Sequence, residues 1–169
     1  MRPQTAPFGR GLPFGFETMH RTADPQFFDL LVGSYRRLIG EDPLFLSADG
    51  PLSARWLYAD APNPVLAHNT NSNPRFIYAN KAAQKLFGYD WDEIIGLPSR
   101  HSAATPAQDE RQRLLNAVAR DGFATGYSGI RIAKSGRRFW IEDGVLWQLR
   151  AQDGSLFGVA ATFANWRDA

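Results

Sequence analysis

The chain has no cysteine, and that one absence removes several chemistries at once. Disulfides, Cys-ligated zinc, iron–sulfur clusters and thiol nucleophiles are all excluded. Histidine is nearly as scarce: His20, His68 and His101 are the only three, and no His/Asp/Glu spacing suggests a metal site. Long apolar runs are missing too. None approaches the roughly 18 residues that a membrane helix needs, and the N-terminus lacks the basic-then-apolar pattern of a signal peptide. The formal charge is only +2. The basic pairs Arg36-Arg37 and Arg137-Arg138 are too short for a nucleic-acid tract and read as solvated surface. Together these absences lead to the expectation of a cytoplasmic protein with no nucleic-acid and no membrane partner.

What is present suffices for one domain with an appendage. The 169 residues are 44% apolar and 13% aromatic, enough to bury a core. Residues 1–23 are rich in Pro, Gly and Arg without any period, so they read as a flexible tail in which Met19 is an alternative start. Asp24-Pro25 opens a helix, an N-cap followed by Pro at the first helical position. Phe27, Phe28, Leu31, Tyr35, Leu38 and Ile39 fall on one side of it. A loop spans 41–51, and Leu52 to Tyr58 forms a short helix capped by Ser53. Residues 24–60 thus make an N-terminal helical extension.

From Val65 the character changes. Val65 to Asn69 and Phe76 to Ala79 read as strands. Asn80 caps a helix carrying Ala82, Ala83, Leu86 and Phe87, which Gly88 closes. Asp90 and Glu93 form a capping box for a second short helix that ends at Gly96. Thr105-Pro106 starts a longer helix, with Gln108 completing a capping box and Leu114, Leu115 and Val118 on its apolar side. Three strands follow over 123–133, 138–149 and 156–163, joined by Gly-containing turns. The expected fold class is α+β: a five-stranded antiparallel sheet with helices on one face, over residues 61–167, plus the N-terminal extension.

Strand alternation turns Phe139, Ile141, Asp143, Val145 and Trp147 toward the helices. The same phasing sends Tyr127, Gly129 and Arg131 inward, together with Leu156, Gly158, Ala160 and Thr162. Arg131 and Asp143 then share an apolar interior, where an unpaired charge is costly. Either the two form an ion pair, or Arg131 holds an anionic ligand. A register slip of one residue would reverse every assignment. The other face, with Trp140, Leu146, Phe157 and Val159, is too apolar to leave in water. It requires a homodimer or cover by the 25–40 helix.

The motifs FIYANKAAQKLFGY, EIIG and KSGRRFWI resemble the signature of PAS sensor domains. More narrowly, LFGYDWDE, LPSRHSA, YSGIRI, SGRRF and AATFANW together resemble the bacterial MEKHLA-domain proteins, a PAS-like group, over residues 25–167. The resemblance implies a sheet with helices over a small pocket, and sensing or partner binding more than catalysis. It also permits a test for flavin. In light-sensing relatives a cysteine follows the glycine of this turn; here Ser99 stands in its place, which excludes cysteinyl-flavin chemistry. The amide positions correspond to Arg131, Ile141 and Ala160, and only Arg100 matches a flavin phosphate contact. Haem would need an axial ligand, and His101 is the one candidate near the lid. Both cofactors are disfavoured, and the ligand's identity stays open.

The pocket candidates are therefore Ser99, Arg100, Tyr127, Arg131, Phe139, Ile141, Asp143 and Ala160. No catalytic residue is assigned, because Ser99 and Ser102 stand too near His101 in sequence for an aligned relay. The reading is a stand-alone PAS-like sensory or regulatory domain that binds a small ligand and signals through contacts with itself or a regulatory protein. The alternatives are an interaction or dimerisation module whose pocket is filled by Phe139, Trp147 and Tyr127 and, further off, a small-molecule enzyme.

Overall fold

Asn80 joins local capping to tertiary structure. Its Oδ1 accepts from the amide of Ala83, as an N-cap should, and also from the amide of Val65. Its Nδ2 donates to the carbonyls of Leu57 and Asn63. One fully buried side chain therefore ties a helix start to two other segments, with donor and acceptor capacity both used.

The computed structural model describes residues 21–40, 52–103 and 105–169, with backbone alone over 105–108. Most of the expected tail, His20, the 41–51 loop and the side-chain cap expected at Thr105 and Gln108 lie outside the described residues. In order, the elements are α1 (Pro25–Leu38), α2 (Ala54–Ala59), β1 (Val65–His68), β2 (Phe76–Ala79), α3 (Lys81–Phe87) and α4 (Trp91–Ile94). A 3-10 turn (Ser99–Ser102), α5 (Thr105–Asp121), β3 (Phe123–Ile132), β4 (Arg138–Arg150), β5 (Leu156–Thr162) and β6 (Asn165–Asp168) complete it. The expected caps of the N-terminal helices are present: Asp24 accepts from Gln26 N at 2.9 Å and Ser53 from Trp56 N at 3.1 Å.

The sheet is antiparallel throughout, in the order β2-β1-β5-β4-β3. The sequence reading stopped at five strands. The sixth, β6, runs on from β5 along the same edge of β4, and Phe163-Ala164 separate the two.

Two cores lie on opposite faces. On one, α3, α4 and α5 cover Phe76, Phe139, Ile141 and Leu146. On the other, α1 lies across β4: Phe27, Leu31 and Tyr35 pack with Val145, Trp147, Leu149 and Ala160. Tyr35 meets Trp147 edge-on at 5.0 Å, and the Ser34 hydroxyl both accepts from Arg150 N and donates to Arg150 O. Cover by α1 was expected over Trp140, Leu146, Phe157 and Val159; of these only Phe157 packs in the core beneath α1, and Leu146 and Val159 belong to the other core. Helices occupy both faces, the second through the N-terminal extension.

The strand phasing needs correction at a specific residue. Asp143 has φ +52 and is exposed, because β4 carries an extra residue there. Gly129 pairs with Ile141 and Tyr127 with Gly144, so three steps on β4 oppose two on β3. β3 answers with its own extra residue between Ala124 and Tyr127, where Gly126 takes φ +68. A β-bulge shifts alternation by one. Phe139 and Ile141 do face the helices over the cavity side, but Val145 and Trp147 face α1. Leu146 and Val159, expected outside, belong to the first core.

Candidate functional site

A cavity of about 70 Å³ lies between the sheet and α5. Its apolar walls come from Leu66, Phe76, Phe87, Ile141, Leu146 and Phe163, and its polar groups from His68, Ser99, Ser102, Arg111, Tyr127 and Arg131. Each polar group arrives by a readable route. Arg131 and Tyr127 share β3's inward parity. Arg111 precedes Leu114 and Leu115 by three and four residues, so it shares their helix face. His68 stands two residues from Leu66 on β1 and therefore on the same side of the strand.

The 3-10 turn carries Ser99 to the cavity wall. Its amide donates to the Pro74 carbonyl at 2.8 Å, and the Ser102 hydroxyl donates to the Ser99 carbonyl at 2.7 Å. The guanidinium of Arg111 then donates to Ser99 Oγ. Tyr127 is fixed by the two glycines beneath it: a Cβ at Gly129 would collide with its hydroxyl, and one at Gly144 would press on its ring. Arg131 sits 5.0 Å from the centroid of that ring.

The electrostatics are one-sided. Among the described residues no Asp or Glu lines the cavity, and none forms an ion pair with Arg111 or Arg131. Burial pushes the Arg131 pKa down, partly countered by Tyr127 and by Glu110, which is exposed on α5. Burial also lowers Arg111, and the positive charge of Arg131 adds to that. Arginine remains protonated even so. Burial raises the Tyr127 phenol, against the pull of Arg131, so the group is neutral. His68 is pushed down by burial first and by Arg111 as well. Its Nδ1 lies 2.8 Å from the Asn69 carbonyl, which can only accept, so Nδ1 carries the hydrogen.

Of the residues singled out in the sequence, Ser99, Tyr127, Arg131 and Ile141 line this cavity. The other four do not. Phe139 is fully buried against Phe87, at 5.1 Å, and forms the floor of the core beside the cavity. Arg100 is on the exposed side of the 3-10 turn. Asp143 points to solvent at the bulge, so the expected Arg131–Asp143 ion pair does not form. Ala160 packs with Trp147 beneath α1, and its neighbour Ala161 is the one that reaches the cavity. His101 is exposed. Arg111 and His68 were missed, although helix period sets Arg111 on the face of Leu114 and Leu115 and strand alternation sets His68 on the side of Leu66.

No helix of the described residues is long and apolar enough to cross a membrane, and none of their His, Asp and Glu side chains gather into a metal-binding group.

Comparison with known proteins follows the geometry. No curated protein is significantly similar in sequence. The PAS domain of a protein from Colwellia psychrerythraea superposes with a TM-score of 0.53 at 19% identity, over 63% of this chain and 86% of that one. A light-oxygen-voltage domain characterised with a flavin analogue gives 0.53 at 16% identity, over 64% and 78%. An RNA-binding light-oxygen-voltage receptor gives 0.58 at 20%, over 75% of this chain and 36% of that one. At such identities the likeness carries the fold alone, and the fold is PAS-like. The MEKHLA domain profile, in contrast, matches residues 25–168, the whole sheet with the helices on both of its faces. The chain belongs to the MEKHLA domain family.

Proposed function

We propose that this domain is a sensory or regulatory module that binds a compact small molecule in the cavity and passes its occupancy on through protein–protein contacts. The carrying observation is that polar groups from β1, β3, α5 and the 3-10 turn converge on a space that side chains leave open. A filled pocket would need Phe139, Trp147 and Tyr127 together. Trp147 lies on the opposite face and Phe139 outside the lining, which supports a ligand over a plug. On the scale where one water needs roughly 10–15 Å³, the space suits a small molecule and not a flavin. Catalysis has less support, because the Ser99 hydroxyl is engaged by Arg111 and not by a base.

The path from the cavity to α1 is short. Leu146 touches the cavity while Trp147, next in the chain, touches α1, so a ligand that shifts one moves the other. Native mass spectrometry with an absorption spectrum of the purified protein tests the reading. The expected result is a small mass that leaves on denaturation, with no flavin or Soret band. A protein that carries nothing and gains no thermal stability from a broad set of small molecules would overturn it.

A further inference from the structure

The two cationic groups in the cavity pose a question that folding alone does not answer. Arg131 is only 8% exposed. Its five N–H donors find a long contact to the Ile130 carbonyl, at 3.4 Å, and the Tyr127 oxygen. Arg111, across the cavity, spends a donor on Ser99 Oγ. The described ion pairs lie elsewhere, at Arg120–Asp121, Lys134–Glu93, Arg137–Asp168 and Arg167–Glu142. Tyr127 and His68 are both neutral there, and Glu110, exposed on α5, acts on Arg131 only from a distance, so among the described residues no carboxylate pairs with either guanidinium at the cavity. A guanidinium fork matches a carboxylate's two oxygens in geometry and charge, and here one such group is buried and a second half-buried. The remaining walls are apolar, which disfavours a fully hydrated inorganic anion and suits a molecule with a hydrocarbon body.

We propose that the cavity takes a compact carboxylate, its charged end between the guanidiniums of Arg131 and Arg111 beside the Ser99 hydroxyl, and its apolar body against Leu66, Phe87, Ile141 and Leu146. This rests on the reading of the domain as a ligand sensor, and sharpens it to a chemical class. The ligand's carboxylate is the counter-ion for the like charges of Arg131 and Arg111.

The test is calorimetry on the full chain in chloride-free buffer, with propionate through hexanoate, the matching neutral amides, and inorganic phosphate. Carboxylates are expected to bind, with each amide weaker by about tenfold or more. Arg131→Met and Arg111→Met are each expected to weaken the best carboxylate by about tenfold or more. Without ligand, Arg131→Met should melt no lower than the parent, because it removes a buried charge that has no ion-pair partner among the described residues. A marked loss of melting temperature instead would make Arg131 structural and overturn the assignment. Amides that bind as well as acids, phosphate that binds better, or Arg131→Met with unchanged affinity would also overturn it, while leaving the sensor reading intact. A protein that binds neither acids nor amides and carries no co-purified mass sinks both.

Discussion

The Trp147 indole donates its N–H to the Leu31 carbonyl at 3.0 Å, so β4 is fastened to the middle of α1 by a directional bond as well as by area. Trp147→Ala is expected to cost about 3–5 kcal/mol, measured by urea unfolding. Trp147→Phe keeps most of the burial and should cost about 1 kcal/mol for the lost bond. A chain starting at Ala61 would bare Val145, Trp147 and Leu149. It is expected to lose cooperative unfolding or to self-associate in light scattering, and a monodisperse, cooperatively folding monomer would count against the docking role.

Asn80 offers a second measurement. Asn80→Ala removes a cap and strands the Val65 amide, besides leaving two carbonyls without their donor. The expected loss is about 3 kcal/mol, well above the ~1 kcal/mol of an ordinary cap. Ser53→Ala, whose side chain makes a single cap bond, is the matched control at about 1 kcal/mol. Equal costs for the two would show that the tertiary bonds of Asn80 add nothing.

His68 should make stability depend on pH. Its folded pKa lies below the ordinary value, chiefly through burial. Just below pH ~6.5 the unfolded chain therefore binds a proton that the folded chain refuses, and stability rises with pH across that window. Acidification from about pH 6.5 should lower the unfolding free energy with a slope approaching ~1.4 kcal/mol per pH unit until His68 itself is protonated. His68→Gln is expected to flatten that slope. An unchanged slope would assign the dependence to other groups.

Asp143 holds a left-handed backbone at φ +52. Asp tolerates that region better than most residues, and Gly best of all. Asp143→Gly should be neutral or stabilising by up to ~1 kcal/mol, whereas Asp143→Val should lose about 1–2 kcal/mol or more. Chemical unfolding of the two variants separates these outcomes. A tolerated valine would mean that the bulge relaxes to a regular strand.

Asp143 also marks the point where sequence reasoning went astray. The helices were legible because their caps are local: Asp24, Ser53, Asn80 and Gly88 act within one turn. The strands were legible because glycines at 136 and 154 punctuate them at positive φ. A bulge leaves no comparable mark, since an aspartate in a run of alternating residues looks like one more inward or outward position. Counting through it put Ala160 and Trp147 on the cavity side and Leu146 on the other. β6 escaped notice because Asn165 to Asp168 are all exposed and carry no apolar alternation. Arg111 escaped because a cation on a helix reads as solvated until the opposing sheet is known.

The bulges have a wider meaning when the three strands are taken together. β4 gains its residue at Asp143, β3 between Ala124 and Tyr127, and the β5–β6 run breaks at Phe163-Ala164 opposite Glu142 to Val145. Leu146 stands beside Ala161 and Ile141 beside Trp166, so the outer run has changed phase in step with β4. In the language of crystals this is a dislocation, an added row that ends inside an otherwise regular lattice. Such a defect cannot be healed in one strand alone, since deleting the residue from β4 would put it out of step with β3 on one edge and with the β5–β6 run on the other. It can only be removed from all three at once. Tyr127, Gly144 and Phe163, which line the cavity, lie along this row. Chain length at these three places is therefore as constrained as any side chain, and the hollow in the protein is located by a fault in its sheet.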